Sequence, residues 1–407
     1  MMPGNHIYRI TALLAIILLG FDARGQQDVD IILTARALSK GGNSAEAINI
    51  LSEAISQSGR SRLYSERAEA SILENDFSGA IRDLNQANKL EEHSGDYGLA
   101  KVYALKGDAA TSMYHLGMHL GSVYKKSEKE IMLEPAFQSV ENRPEWRQLW
   151  KKEWYSFIEK SISEIEFLVT QGNTEETGNI LNELKRNYPE SSETLYAEAL
   201  INMGSGKYSE SVALLTRLTT DNPGSEKYLR ALARAQVGQA NYAGASLTYS
   251  KLFDSGVADA DLLILRAQSY RKTRETDKAL ADIEKYLELY PEDKKAISLA
   301  GKVEAESGDN LKALEYFSKN LSLHPNDPDC YTDRADSYFT SKSWDWAVKD
   351  YSMSLDLKPD NAEAWLNKGI AQLSSGKTDD ACHDFKMSYS LGNQKASAYI
   401  SKHCLNR

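Results

Sequence analysis

The sequence predicts an all-α fold, a solenoid of helix-turn-helix repeats, and three lattices of residues predict it. Pro189, Pro223, Pro291, Pro325 and Pro359 share one 34-residue period, with Val257 at the vacant node. Ala245, Ala279, Ala313, Ala347 and Ala381 keep the same interval. So does a line of small residues: Ala199, Ala233, Ala267, Gly301, Ala335 and Gly369. One period in three independent residue sets means one structural unit repeated along the chain.

The residues between nodes give the unit its form. The stretch NAEAWLNKGIAQLSSGKTDDACHDFKMSYSLG (361–392) reads as two amphipathic helices joined by a Gly-containing turn. Small residues at the nodes let the two helices approach closely, while Trp365, Phe385 and Tyr389 fill the space around the contact. Proline after the second helix stops it, because proline cannot continue the hydrogen-bond ladder and restricts the residue before it. Asp or Asn beside those prolines helps begin the next helix.

These residues resemble the tetratricopeptide repeat (TPR) pattern W-x2-L-G-x2-Y … A-x3-F … P. It is matched by Trp365, Gly369, Ala381 and Phe385, and one unit earlier by Tyr331, Ala335, Tyr338, Ala347, Tyr351 and Pro359. Units begin near 158, 192, 226, 260, 294, 328 and 362, forming a seven-unit array over 158–395. N-terminal units fill 26–127: one at 28–60 with Ala35 and Ala47, one at 61–94 with Ala68, Ala80 and Leu84, and a weaker one at 95–127 with Ser112 at a small position. The unit at 158–191 is also degenerate, carrying Ile165 and Thr177 at small positions. The last helix, 393–404, has no partner helix and is expected to cap the open end, as terminal units of solenoids do.

Between the two arrays, residues 128–157 break the rhythm. EPAFQSVENRPEW resembles a D-P-x-F … P-x-[FW] element that closes many bacterial TPR arrays, with Glu134 in place of the Asp. Pro144 is placed to open a helix, on which Trp146, Trp150, Trp154 and Phe157 share one face. That stripe is expected to be a buried joint between the arrays; exposed rings would instead make it a docking face.

The termini and composition set the surroundings. One basic residue, Arg9, precedes the apolar run ITALLAIILLGF (10–21), and Ala23 and Gly25 stand at −3 and −1 of a cut before Gln26. These are the three parts of a secretory signal peptide at 1–25. The run is short for a span, which takes roughly 20 residues; a retained anchor is the alternative. No later run reaches membrane length. The expectation is a protein exported to the periplasm or secreted, with no membrane span once the signal is removed.

A net charge of −10 argues against general affinity for nucleic-acid backbones. The three cysteines, Cys330, Cys382 and Cys404, allow one disulfide and one remaining thiol. Cys382 starts one helix and Cys404 ends the antiparallel helix after it, and the ending resembles one recurrent in exported bacterial TPR proteins. A Cys382–Cys404 disulfide and two separately buried thiols both stay open.

Catalytic, cofactor and metal motifs fail on inspection. GSGKYS (204–209) lacks the spacing and strand of a phosphate loop. His115 and His119 lie one helical turn apart, with no Glu between them and no third ligand. Asp327, Asp329, Asp333 and Asp336 lack the Gly and terminal Glu of a calcium loop. The sequence therefore predicts a non-catalytic protein without cofactor or metal.

The resemblance implies a concave groove lined by positions 2, 5, 9 and 12 of each unit, binding another protein or a peptide. Those positions present Lys227, Arg230 and Arg234, then Gln268 and Arg271 beside Asp261, then Lys295 and Lys302; the next unit reverses sign with Asp329 and Asp336. In an acidic chain such a basic patch points to an acidic or C-terminal partner segment held by charge-assisted contacts. The alternative is that neighbouring carboxylates neutralise it. The set does not reproduce the asparagine, lysine and arginine clamp of chaperone-binding TPR proteins. A glycan or peptidoglycan-fragment module is a rival reading, disfavoured by few groove aromatics (Tyr196 and Phe339 among them), and an unrecognised enzyme is a second.

Overall fold

The computed structural model describes residues 27–404, all helices and turns. The expected signal segment, 1–25, lies outside the described residues. None of the described helices is long and apolar enough to cross a membrane.

The chain forms two compact units that divide between Ala260 and Asp261. The first holds three antiparallel pairs: α1 (27–40) with α2 (Ser44–Ser58), α3 (Ser61–Leu73) with α4 (Phe77–Leu90), and α5 (Asp96–Leu105) with α6 (Ala109–Leu120). Short elements follow: α7 (Glu128–Met132), a 3-10 turn (Pro135–Ser139) and α8 (Pro144–Leu149). Three more pairs complete it: α9 (Phe157–Thr170) with α10 (Thr174–Asn187), α11 (Ser192–Gly204) with α12 (Tyr208–Asp221), and α13 (Glu226–Gly238) with α14 (Tyr242–Asp254). The second unit holds α15 (Asp261–Thr273) with α16 (Thr276–Leu289), α17 (Lys294–Ser307) with α18 (Asn310–Leu323), α19 (Pro328–Thr340) with α20 (Trp344–Leu357), and α21 (Ala362–Ser374) with α22 (Thr378–Ser390), closed by α23 (Ala396–His403).

Local chemistry sets the turn inside each pair. The residue between the helices adopts a left-handed conformation, and in α4, α6, α10, α14 and α18 an Asp or Asn side chain then caps the second helix. Gly308 has φ +96°, and Asp309 accepts a hydrogen bond from the Lys312 amide. Ala240, Arg274 and Lys342 take the same conformation without being glycine, at a cost of about 1–2 kcal/mol each. Each lattice proline lies two residues past a second helix, as where Pro291 follows Leu289 and Pro325 follows Leu323. At the vacant node the stop is made differently. Gly256 turns left-handed at φ +88°, and the Val257 amide closes onto the Leu252 carbonyl at 3.0 Å. The division between the compact units falls just after this node.

The node residues are buried because the paired helices touch through them. Ala199, Ala233, Ala267, Ala335, Ala245, Ala279, Ala313, Ala347 and Ala381 are fully covered. A Cβ on Gly301 would come within 2.5 Å of the Phe317 ring, so only glycine fits there. Ser112 and Ser211 replace alanine in two units and keep the approach close. Their hydroxyls donate across the pair to the carbonyls of Ala100 (2.8 Å) and Ala199 (2.9 Å).

A second repeated feature lies outside the three residue lattices. Arg67–Asp83, Arg266–Asp282 and Arg334–Asp350 are two-pronged ion pairs between helices of one pair, each sixteen residues apart. Lys368–Asp384 repeats the spacing with a single contact at 3.2 Å. The four aspartates are all buried.

The tryptophan segment lies inside the first unit, and it is not one helix. Pro144 does open α8, which ends at Leu149. The Leu149 carbonyl, which a longer helix would engage, accepts the Trp154 indole N–H at 2.9 Å. Ser156 and Glu159 then form a capping box that starts α9 in a new direction. Trp146 is buried among Ala104, Met113, Leu116, Ile131 and Phe137, with Trp150, Trp154 and Tyr155 half-buried against that cluster. Phe157 is 42% exposed and leaves the stripe.

Two arginines join the start of the first unit to its end. Arg36 on α1 donates to the Ala258 carbonyl at 2.6 Å, and Arg62 on α3 donates to the Gly256 carbonyl. At the other terminus, Cys382 and Cys404 are disulfide-bonded, with Cα atoms 5.6 Å apart. Tyr399 of α23 stacks on Phe385 at 4.9 Å, so the cap is held by packing as well as covalently. Cys330 is a buried free thiol.

Candidate partner-binding grooves

A groove of about 940 Å³ runs along α1, α3 and α5 and against the segment after α6. Its charges are matched between successive first helices. Arg36 grips Glu66 at 2.9 and 2.5 Å, and Lys101 bonds Glu69 at 2.7 Å. The Tyr97 hydroxyl donates to Glu134 at 3.3 Å; burial first and then that carboxylate push its pKa well up. None of the predicted groove residues lies here. The available signal was opposite charges about one repeat apart, 30 residues for Arg36–Glu66 and 32 for Glu69–Lys101.

Two histidines considered as metal ligands have other roles. His115 bonds Asp96 at 2.8 Å, and His93 bonds the same carboxylate at 2.7 Å. His119 is 2% exposed, and its Nε2 accepts the Lys126 amide at 3.1 Å, which places the proton on Nδ1. That Nδ1 has no hydrogen-bond partner among the described residues. Burial, aided by the Lys126 charge and opposed by Asp96 and Glu130, lowers the His119 pKa to about 4.

The unfolded chain takes up that proton below about pH 6.5, whereas the folded chain resists it until about pH 4. The stability His119 supports is therefore present above pH 6.5 and falls as pH drops toward 4. At about 1.4 kcal/mol per pH unit the loss reaches about 3 kcal/mol at pH 4. Urea unfolding across pH 7 to 4.5 should show this slope. His119→Gln, which keeps an acceptor but cannot titrate, should flatten it; an unchanged slope would assign acid sensitivity elsewhere.

In the same unit, α13 carries three of the predicted groove residues. The Lys227 ammonium stands 4.1 Å from the centre of the Tyr196 ring. Surrounding protein atoms lower its pKa although its surface reaches solvent. Arg230 is engaged with Glu226 at 2.7 Å and Asp259 at 2.8 Å. Arg234 is exposed and makes no ion pair among the described residues; its charge tempers the burial that raises the phenol pKa of Tyr196 and Tyr249.

The second unit gathers the other four. Gln268, Arg271, Lys295 and Lys302 line one groove of about 480 Å³, with Cys330 and Asp333 in its wall. Arg271 forms a fork with Glu306 at 2.8 and 2.5 Å, and Lys302 bonds Asp333 at 2.9 Å. Lys295 and Gln268 are exposed, and neither has an ion pair or side-chain hydrogen bond among the described residues. Burial first, and then nearby aspartates, push the Cys330 thiol up to about 11, so at neutral pH it stays protonated. Of the aspartates considered for calcium, Asp327 caps α19 and the other three are spread along it, and no group of three metal-binding side chains stands among the described residues.

A sequence-family profile described as "Tetratricopeptide repeat" matches residues 264–328 and 332–390. No curated protein matches. Among solved structures, the Cut9–Hcn1 hetero-tetramer of APC/C is similar at 14% identity and a TM-score of 0.42, over 98% of this chain and 95% of that one. A tetratricopeptide repeat protein from Parabacteroides merdae ATCC 43184 is similar at 21% identity and a TM-score of 0.48, over 60% of this chain and 97% of that one. YrrB, described as a TPR protein with an unusual peptide-binding site, is similar at 16% identity and a TM-score of 0.36, over 46% and 97%. The profile matches lie in the second unit, where residues 264–390 therefore carry tetratricopeptide repeats, and helix pairs of the same rhythm run along both units.

Proposed function

We propose that this protein is a non-catalytic scaffold, exported to the periplasm or the cell surface, whose first-unit concave face holds an acidic segment of a partner protein. The observation that carries the reading is the pair Lys227 and Arg234. They lie seven residues apart on one face of α13, both act on Tyr196, and neither is ion-paired among the described residues. A cation that has already met a carboxylate, as Arg230 has, offers less to a ligand than one that has not. The groove ionisable groups elsewhere are largely engaged with one another, which suits a binding surface better than acid–base chemistry.

Cross-linking the exported protein in cells and purifying it identifies the partner. Lys227→Glu with Arg234→Glu should remove that partner while leaving the helical circular dichroism intact. An unchanged set of captured proteins would sink the reading. Amino-terminal sequencing of the exported protein should begin at Gln26.

A further inference from the structure

The second-unit groove carries opposite charge on neighbouring helices, and pairing leaves one charge of each sign over. On α15 and α17 its lining is cationic: Arg271, Lys294, Lys295 and Lys302. On α19 it is anionic: Asp329 and Asp333. Where the two walls meet, Lys302 and Ser298 both engage Asp333, and Lys294 bonds Asp327 at 2.5 Å. Lys295 remains without a partner among the described residues. The Asp329 carboxylate is 68% exposed, and its only ion contact among the described residues is Lys294 at 3.8 Å, which Asp327 already holds more closely. Lys295 and Asp329 occupy the same position in consecutive repeats, 34 residues apart.

We infer that this groove binds an extended partner segment carrying one acidic and one basic side chain three residues apart, the acid on Lys295 and the base on Asp329. The inference rests on the scaffold reading above but concerns a different groove and a different ligand chemistry. The spacing follows from geometry. Packed neighbouring helices lie about 8–10 Å apart, which sets the spacing of the backbone positions that carry the two charges. In a polyproline-II segment, side chains at i and i+3 share a face and are separated by about 9 Å. A β-strand returns to the same face at i+2, roughly 7 Å, or i+4, roughly 13 Å, and fits less well. A uniformly acidic segment would satisfy Lys295 and meet repulsion at Asp329.

The test uses the full chain and three end-blocked, fluorescein-labelled peptides of equal length, containing Glu-Pro-Pro-Lys, Glu-Pro-Pro-Glu or Lys-Pro-Pro-Lys. Fluorescence anisotropy at low salt should rank the mixed peptide about three- to fivefold tighter than either like-charged one. Lys295→Glu should move the preference to Lys-Pro-Pro-Lys, and Asp329→Lys should move it to Glu-Pro-Pro-Glu. Both side chains are exposed, so neither change threatens folding. Equal affinities, a ranking that ignores both variants, or no measurable binding would each overturn the proposal. So would groove occupation by a second copy, seen as a dimer in sedimentation that both variants abolish. Partner capture is read separately, so losing the peptide ranking while capture persists overturns this inference alone.

Discussion

Asp350→Ala is expected to destabilise the second unit by about 3 kcal/mol, read as a lowered urea midpoint in far-UV circular dichroism. Arg334 donates Nε and Nη2 to the two oxygens of Asp350 at 2.6 and 2.9 Å, and Asp350 is 2% exposed. The hydrogen bonds to Asp350 are the main reason the Arg334 guanidinium pKa is raised. Removing the carboxylate leaves a permanently charged guanidinium between two packed helices. Breaking such a pair typically costs 3–5 kcal/mol, and the low end applies because the Arg334 side chain is 22% exposed and partly hydrated. The loss should spread to the neighbouring pairs, because each repeat is stabilised by its interfaces. Arg334→Met with Asp350→Leu should recover most of the stability, since the cost lies in the orphaned charge more than in the missing attraction. If the double variant is as unstable as the single one, the pair itself stabilises the fold. Lys368–Asp384 offers an internal comparison. Lysine reaches only one oxygen, Oδ2 has no partner among the described residues, and burial pushes the Asp384 carboxyl up in spite of the lysine.

The period of the sequence made the repeats legible because helix contact imposes it. Small residues are demanded wherever two helices touch, and prolines recur where each second helix must stop. Units expected at 192, 226, 294, 328 and 362 accordingly begin helices at Ser192, Glu226, Lys294, Pro328 and Ala362. The charge state of the grooves was not legible in the same way. The partners of Arg230, Arg271 and Lys302 are Asp259, Glu306 and Asp333, and none of them occupies an expected groove position. Asp259 lies in a loop, and the other two sit on helices one repeat beyond their cations, so counting one face per unit misses them. The Arg–Asp pairs sixteen residues apart were missed for a related reason. Each residue alone looks like part of a solvated face, and only the pairing explains why the aspartate is buried.

Trp146→Ala is expected to cost the first unit about 3–5 kcal/mol, the usual range for removing a large buried ring, with a fall in Tm of roughly 10 °C. Trp146 is 9% exposed, with Phe137 and Trp150 ring centres each 5.7 Å away and Ile131 and Val140 in the same cluster. The surrounding helices are short and fixed by caps, so the vacated volume would persist as a cavity. The four aromatic residues also separate two physical pictures of this segment. On one continuous helix facing a core, Trp146, Trp150, Trp154 and Phe157 would be buried alike, and truncating each would cost a comparable amount. In the broken segment the costs should decline steeply. Trp150 and Trp154 are half-buried and come next, Trp154 losing in addition its hydrogen bond to the Leu149 carbonyl. Phe157, at 42% exposure, should change little. Thermal unfolding of the four alanine variants measures the gradient directly. Equal losses at positions 146 and 157 would overturn the broken-helix arrangement. A steep decline would place the stabilising contact at Trp146, where α8 meets the Phe137 cluster, and not along a stripe of about three turns.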